Sequence, residues 1–309
     1  MKRLVVGSRR SQLAMTQTHW VCDQLTEYVP DLDICIEGIT TKGDRILDLT
    51  LSKIGGKGLF IKEIEQALLD GRIDFAVHSM KDMPAEMPEG LVIASVPARV
   101  DARDAFISRS AASLRGLPQE ARIGTSSLRR TAQLARLRSD LTIVPLRGNI
   151  DSRLEKMREG KMDAIVLACA GLIRMGWEDQ ITERLSVEQS IPAVAQGALA
   201  IQCRSEDLET RSIVGLLNDE TTARTVAAER AFLGALNGGC QVPIGAYASA
   251  YEHGLRLVGM VAEPDGSVIL KESLDGAAPE ALGRQLAALL LDQGARGILE
   301  RFREKVGDR

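Results

Sequence analysis

The sequence predicts two α/β domains followed by a small α+β domain. Three observations carry that reading. Strands and helices alternate over the first two-thirds of the chain, the alternation restarts after a break near residues 97–103, and beyond residue 220 a helix is followed by three consecutive strand patterns.

The elements follow in order. Residues 3–7 form a short apolar strand that runs into Ser8-Arg9-Arg10-Ser11, and helical spacing then extends to about residue 28. Residues 33–38 are a strand. Residues 59–70 have helical periodicity and stop at Gly71, a residue suited to the left-handed position that closes helices. Residues 73–77 are an apolar strand leading into His78-Ser79-Met80-Lys81-Asp82-Met83-Pro84, and 91–96 are another, ending at Pro97. The second block repeats the pattern: strand 122–124, the cap cluster Thr125-Ser126-Ser127, helix 128–137, strand 142–146, Arg147-Gly148-Asn149, helix 150–159 stopped by Gly160, and strand 163–168. Alternation of this kind predicts parallel sheets. The last part reads as helix 221–236, strands 244–250, 255–262 and 267–273 with a turn at Glu263-Pro264-Asp265-Gly266, and helix 279–292.

Composition narrows the function. A chain of 309 residues holds two or three domains of roughly 100–200 residues each. Hydrophobic content is 45% with only 3% aromatics, so the core is aliphatic. The net charge of −3 argues against a general nucleic-acid binder. The cations are 29 arginines against 10 lysines; the planar guanidinium fork suits carboxylate or phosphate, although genome bias yields the same excess. The five cysteines (Cys22, Cys35, Cys169, Cys203, Cys240) contain no CxxC pair, so neither a disulfide framework nor a zinc site is indicated. Cys35 and Cys169 lie in apolar runs and are expected to be inert core thiols. Three scattered histidines make metal catalysis unexpected. The first residues lack the apolar segment of a signal peptide, and the longest apolar run, 164–173, is too short for a bilayer span of about 20 residues. A cytoplasmic protein with free thiols is expected.

Two features carry chemistry. Cys240 sits in Asn237-Gly238-Gly239-Cys240-Gln241-Val242-Pro243, where Gly-Gly and Pro forbid a continuous helix. It is either an accessible nucleophilic thiol or a small apolar residue filling a turn. The second feature is the set of residues beyond the carboxyl ends of the strands, where α/β sheets bind ligands. These are Arg9, Ser11, Ser79, Lys81, Asp82, Thr125, Ser126, Ser127, Arg129, Arg130, Arg147, Arg153 and Arg174. Arginines, hydroxyls and helix N-termini on one edge form a cleft for several carboxylates or phosphates. Taken singly, Arg129 and Arg130 also fit a solvated helix face, Thr125–Ser127 an ordinary cap, and Arg153 a surface pair with Glu155 or Asp151. Ile54-Gly55-Gly56-Lys57-Gly58 lacks the spacing of a phosphate loop and reads better as a flexible lid.

Together the strings closely resemble the porphobilinogen deaminase (hydroxymethylbilane synthase) family. The motifs that carry the resemblance are Gly7-Ser8-Arg9-Arg10-Ser11-Gln12-Leu13-Ala14, Lys53-Ile54-Gly55-Gly56-Lys57-Gly58-Leu59-Phe60 and Val77-His78-Ser79-Met80-Lys81-Asp82-Met83-Pro84, with Gly124-Thr125-Ser126-Ser127-Leu128-Arg129-Arg130, Leu146-Arg147-Gly148-Asn149 and Gly238-Gly239-Cys240-Gln241-Val242-Pro243-Ile244-Gly245. The resemblance implies two hinged α/β domains similar to type II periplasmic binding proteins (1–97 with 198–215, and 103–191) and a C-terminal α+β domain (220–309) with a three-stranded antiparallel sheet. A helix is expected around 198–215. It implies a transferase that condenses four porphobilinogen molecules into hydroxymethylbilane with loss of ammonia, in tetrapyrrole biosynthesis. A dipyrromethane cofactor would be attached to Cys240 by a thioether and would contact Ser79, Lys81, Asp82, Thr125, Ser126, Ser127, Arg129, Arg130, Arg147 and Gly148. Asp82 would be catalytic. Arg9, Ser11, Gln17, Arg147, Arg153, Arg174 and Gln196 would bind substrate, and Lys53, Lys57 and Phe60 would belong to a lid. A monomer acting on a small molecule, without nucleic acid, membrane or metal, is implied. The competing classes are a two-lobed solute-binding or effector-binding module and a phosphate-binding transferase using residues 55–58.

Overall fold

The structure is a computed structural model describing residues 2–45, 61–237 and 242–307. The strands are β1 (Lys2–Arg9), β2 (Leu32–Ile39), β3 (Phe75–Ser79), β4 (Leu91–Ser95), β5 (Asp104–Ser108), β6 (Arg122–Gly124), β7 (Thr142–Val144), β8 (Ala164–Ala168), β9 (Glu183–Leu185), β10 (Leu199–Arg204), β11 (Ile244–Tyr251), β12 (Gly254–Ala262) and β13 (Ile269–Gly276). The helices are α1 (Gln12–Tyr28), α2 (Lys42–Arg45), α3 (Lys62–Leu69), α4 (Leu128–Leu137), α5 (Ile150–Arg158), α6 (Cys169–Arg174), α7 (Leu208–Val214), α8 (Glu220–Ala235), α9 (Pro279–Leu290) and α10 (Arg296–Gly307). The described residues cluster into two compact units, one of residues 2–45, 61–100 and 198–224, the other of 101–197 and 225–307.

The first unit is a five-stranded sheet in the order β2-β1-β3-β10-β4. β1 runs parallel to β2 and β3, and β10 runs antiparallel to β3 and β4. On one face Val21 and Leu25 of α1 close over Leu4, Val6, Phe75, Val77 and Ile201; on the other, Ile64 and Leu68 of α3 pack with Ile39, Ile73 and Ala76. The sheet is therefore buried on both sides, as in an α/β layer. Ser11 starts α1 by accepting a hydrogen bond from the Ala14 N–H.

The second unit holds a sheet with the same arrangement, β7-β6-β8-β5-β9, in which β6 is parallel to β7 and β8 while β5 is antiparallel to β8 and β9. Both sheets are thus mixed, not parallel throughout. The antiparallel strands β5 and β10 are buried along almost their whole length, so neither shows the alternation that marks a strand in sequence. Residues 198–215 accordingly begin with β10; the expected helix is α7, started by Asp207, whose side chain accepts from the Thr210 N–H.

The C-terminal meander β11-β12-β13 is antiparallel, with α9 packed on β12 and β13. It joins the second unit through Ala132, Ile191, Met260 and Ala262. Gly245 lets β11 approach the chain at 191–192, since a Cβ there would sit 3.0 Å from the Pro192 carbonyl oxygen. α10 follows α9 across Gly294 at φ 108, a break that hides the last helix from periodicity. Cys169 is buried as expected, but Cys35 is exposed: it sits on the edge strand β2.

Candidate functional site

Parallel strands bring their carboxyl ends to one edge, and each unit carries polar residues there. In the first unit, β1 ends at Arg9, whose Nη2 and Nε hydrogen-bond Asp44 at 2.5 and 3.2 Å. Burial raises the Asp44 carboxyl, but Arg9 and Thr41 outweigh it and hold the group below the ordinary aspartate range. β3 ends at Ser79, which hydrogen-bonds the buried Gln17 of α1 at 3.1 Å. The chain then makes a single 3₁₀ turn, Met80–Asp82. The turn is pinned by the Met80 N–H to Ala198 O (3.0 Å) and by burial of Met80 and Met83. Lys81 is half-buried and Asp82 is exposed. Met80 and Met83 are therefore anchors that present the two charged residues between them.

In the second unit, β6, β7 and β8 end at the same edge. Thr125 is buried, its hydroxyl accepts from the Ser127 N–H, and Ser126 exchanges two hydrogen bonds of 2.9 Å with the Leu146 backbone. Ser127 caps α4 without a side-chain bond to the helix, so the first turn of α4 keeps its N–H groups pointed at this edge. Arg147 follows β7 and is half-buried, with its carbonyl accepting from Lys156. Gly148 adopts φ 113, and a Cβ there would fall 2.1 Å from Ser152 Oγ, so only glycine fits. The Gly148 carbonyl accepts from Arg153 Nε at 2.7 Å. Arg174, at the end of α6, donates to Gly197 O, and burial pushes its pKa down to about 10, which still leaves it charged at neutral pH.

Arg129 and Arg130 are both buried, so this face of α4 is not solvated. They converge on Asp104, the first residue of β5, which is fully buried. Arg129 Nη1 and Arg130 Nη2 each lie 2.7 Å from its carboxylate. Ser190 Oγ and Gln196 Nε2 complete its shell at 2.7 and 2.9 Å. Burial raises the Asp104 carboxyl, but the two guanidinium charges outweigh it and hold the group far below its ordinary range. Two cations on one anion leave an excess positive charge, and Arg129 Nε is buried without a partner among the described residues.

Two family models match the chain. The first, "Porphobilinogen deaminase, dipyromethane cofactor binding domain", covers residues 4–212; the second, "Porphobilinogen deaminase, C-terminal domain", covers 223–292. The chain is 56% identical over 309 residues to porphobilinogen deaminase of Geobacillus kaustophilus, covering 100% of both chains. It is 54% identical over 310 residues to that of Bacillus subtilis, covering 100% of this chain and 99% of the relative. The chain belongs to the porphobilinogen deaminase family. Solved structures with partial likeness include a putative methionine-binding lipoprotein from Bacillus subtilis, at 13% identity and TM-score 0.43, covering 72% of this chain and 92% of that one.

Within this member of the porphobilinogen deaminase family, Cys240, Lys53, Lys57 and Phe60 lie outside the described residues. The structure brings Arg129, Arg130 and Gln196 together on Asp104 and sets Gln17 against Ser79. Sequence reasoning missed Asp104, Asp44, Ser190 and Glu229. Asp104 had a readable signal: an aspartate opening the apolar run Asp104-Ala105-Phe106-Ile107 must be paired if that run is a core strand. Among the described residues, no group of three or more His, Cys, Asp or Glu side chains could hold a metal ion, and no helix is long and apolar enough to cross a membrane.

Proposed function

We propose that this chain is a transferase that joins four porphobilinogen molecules head to tail into hydroxymethylbilane, on a dipyrromethane held by a thioether to Cys240. The observation that carries the reading is the match of residues 4–212 to the cofactor-domain model, a segment in which Arg129 and Arg130 are set on Asp104. Each addition breaks the aminomethyl C–N bond, releases ammonia and forms a C–C bond to a pyrrole α-carbon that loses its proton; water completes the last release. When bound, the dipyrromethane supplies the first such α-carbon.

The chain's own residues supply binding, orientation and proton traffic. Arg129, Arg130, Thr125, Ser126, Ser127, Arg147, Gly148, Ser79 and Lys81 hold the acetate and propionate arms of the primer by charge-assisted hydrogen bonds. Arg9, Ser11, Gln17, Arg147, Arg153, Arg174 and Gln196 hold those of the incoming substrate. Asp44 fixes the Nε and Nη2 side of Arg9, so that guanidinium is oriented before any ligand arrives. Asp82 stands exposed on its 3₁₀ turn. There it accepts hydrogen bonds from pyrrole N–H groups and faces the positive charge that develops on the substrate carbon as ammonia leaves. The same carboxylate carries the proton between the pyrrole carbon and the departing amine. Lys53, Lys57 and Phe60 serve as a lid. The domains are 1–97 with 198–215, 103–191 and 220–309. The protein acts as a cytoplasmic monomer on a small molecule, without nucleic acid, membrane or metal.

The test is to incubate the purified protein with porphobilinogen, follow ammonia, and treat the unfolded protein with Ehrlich's reagent. One ammonia per porphobilinogen consumed, and a coloured protein, are expected. Binding without ammonia release, on a colourless protein, would mark a solute-binding module instead.

A further inference from the structure

Glu229 lies in the middle of α8 and is fully buried. Burying a carboxylate is costly unless its oxygens are satisfied. Here each oxygen takes a backbone donor from a different part of the chain: Oε2 accepts from the Ala195 N–H at 2.6 Å and Oε1 from the Ala248 N–H at 2.8 Å. Neither donor belongs to a ladder. Ala248 is on β11, the edge of its sheet, and Ala195 is in the turn closed by the Gln196 N–H to Ala193 O. A carboxylate suits this task because it offers two acceptors and no donor.

The Ala195 end leads to the arginine pair. Ala195 is buried at φ 58, a left-handed conformation unfavourable for any residue with a Cβ. Its neighbour Gln196 donates from Nε2 to Asp104 Oδ1 (2.9 Å) and Ala102 O (2.7 Å), and its Oε1 accepts from Arg130 Nη2 (3.4 Å). The turn that Glu229 holds therefore sets the amide that braces Asp104 and Arg130. The other end is β11, so Glu229 ties α8 to that strand as well as to the turn. The Ala246 N–H to Pro192 O bond (3.1 Å) stitches the same strand to the segment just before the turn.

We propose that Glu229 is a positioning residue that ties the Ala195–Gln196 turn to β11 and so holds Gln196 against Asp104 and Arg130. The expected effect on primer loading rests on the proposed function; the placement of Gln196 by the turn does not. A purely structural role would change stability alone. A positioning role changes the behaviour of chains that are folded and loaded.

The experiment compares wild type, Glu229→Gln, Ala248→Pro and the double variant Glu229→Gln/Ala195→Gly. Ala248→Pro removes one donor on an edge strand and leaves Glu229 intact. Intact mass reports the fraction of chains carrying the dipyrromethane, thermal unfolding reports stability, and kcat and KM are normalised to loaded chains. Glu229→Gln is expected to lower the loaded fraction and to lower kcat per loaded chain by about ten- to a hundredfold, as misplacement of positioned groups does. Ala248→Pro shifts both in the same direction. Ala195→Gly relieves the left-handed strain and recovers part of the kcat loss. Variants with wild-type loading, kcat and KM and only a lowered melting temperature would overturn the proposal. A wild-type chain with no added mass would instead overturn the Cys240 reading, and kcat of Glu229→Gln per total chain would then decide whether the turn places Gln196 for turnover.

Discussion

Asp104→Asn is the most informative change in the site. Six hydrogen bonds from described residues end on this carboxylate. Oδ1 accepts from Arg129 Nη2, Arg130 Nε, Arg130 Nη2 and Gln196 Nε2, and Oδ2 from Arg129 Nη1 and Ser190 Oγ. Asparagine keeps the shape, removes the charge, and turns one acceptor into an amino group facing guanidinium donors. Two buried cations are then left without an anion. Breaking a buried ion pair from one side costs about 3–5 kcal/mol, and that is the expected loss in a chain that cannot carry the primer, such as Cys240→Ala. In the loaded chain, carboxylates on the same arginines replace part of the lost charge, and the loss shrinks by about 1–2 kcal/mol. The assay is denaturant unfolding followed by the fluorescence of Trp177, which lies in the same unit, with Trp20→Phe as background. A cost below about 1 kcal/mol, the range of an exposed pair, would refute the buried network. Equal costs in loaded and unloaded chains would refute the view that the pair holds carboxylates of the primer.

Three other outcomes are expected. Asp82→Asn keeps the added mass of the primer but slows ammonia release by at least about a hundredfold; near-normal turnover removes Asp82 from the chemistry. Arg147→Leu takes a charge-assisted partner from a carboxylate and lowers loading or elongation on the order of tenfold, seen as a changed ladder of intermediates on native gels; an unchanged ladder counts against the contact. His78 is buried on β3, and burial pushes its pKa from 6.5 down to about 4. The unfolded chain therefore binds a proton that the folded chain refuses as pH falls from about 6.5 to 4. Stability of the first unit should drop by about 2 kcal/mol between pH 7.5 and 5 through this group and level off below pH 4. His78→Asn, followed by Trp20 fluorescence with Trp177→Phe as background, should lack that component; an identical pH slope in the variant would refute it.

The division between what could be read from sequence and what could not follows physical lines. Helices with one apolar stripe, such as α4 and α5, and the meander β11–β13 carry periodic patterns that agree with the observed bounds to within a few residues. β5 and β10 are buried on both faces, so burial erases the alternation that would reveal them, and only pairing with distant strands makes them strands. The polar edge was legible because hydroxyls and arginines follow one strand after another. Its geometry was not: whether Arg129 and Arg130 face solvent or the interior depends on Asp104, 25 residues away from Arg129. Long-range partners of that kind leave no local spacing to read. Glu229 is harder still, since the Ala195 and Ala248 groups it accepts from are backbone N–H groups and have no residue signature.

The intact mass of the purified wild-type chain beside Cys240→Ala bears most directly on the central claim that a thiol in the 238–243 connection carries a dipyrromethane. An excess equal to one dipyrromethane is expected on wild type and none on the variant. An excess on both chains, or on neither, would contradict it.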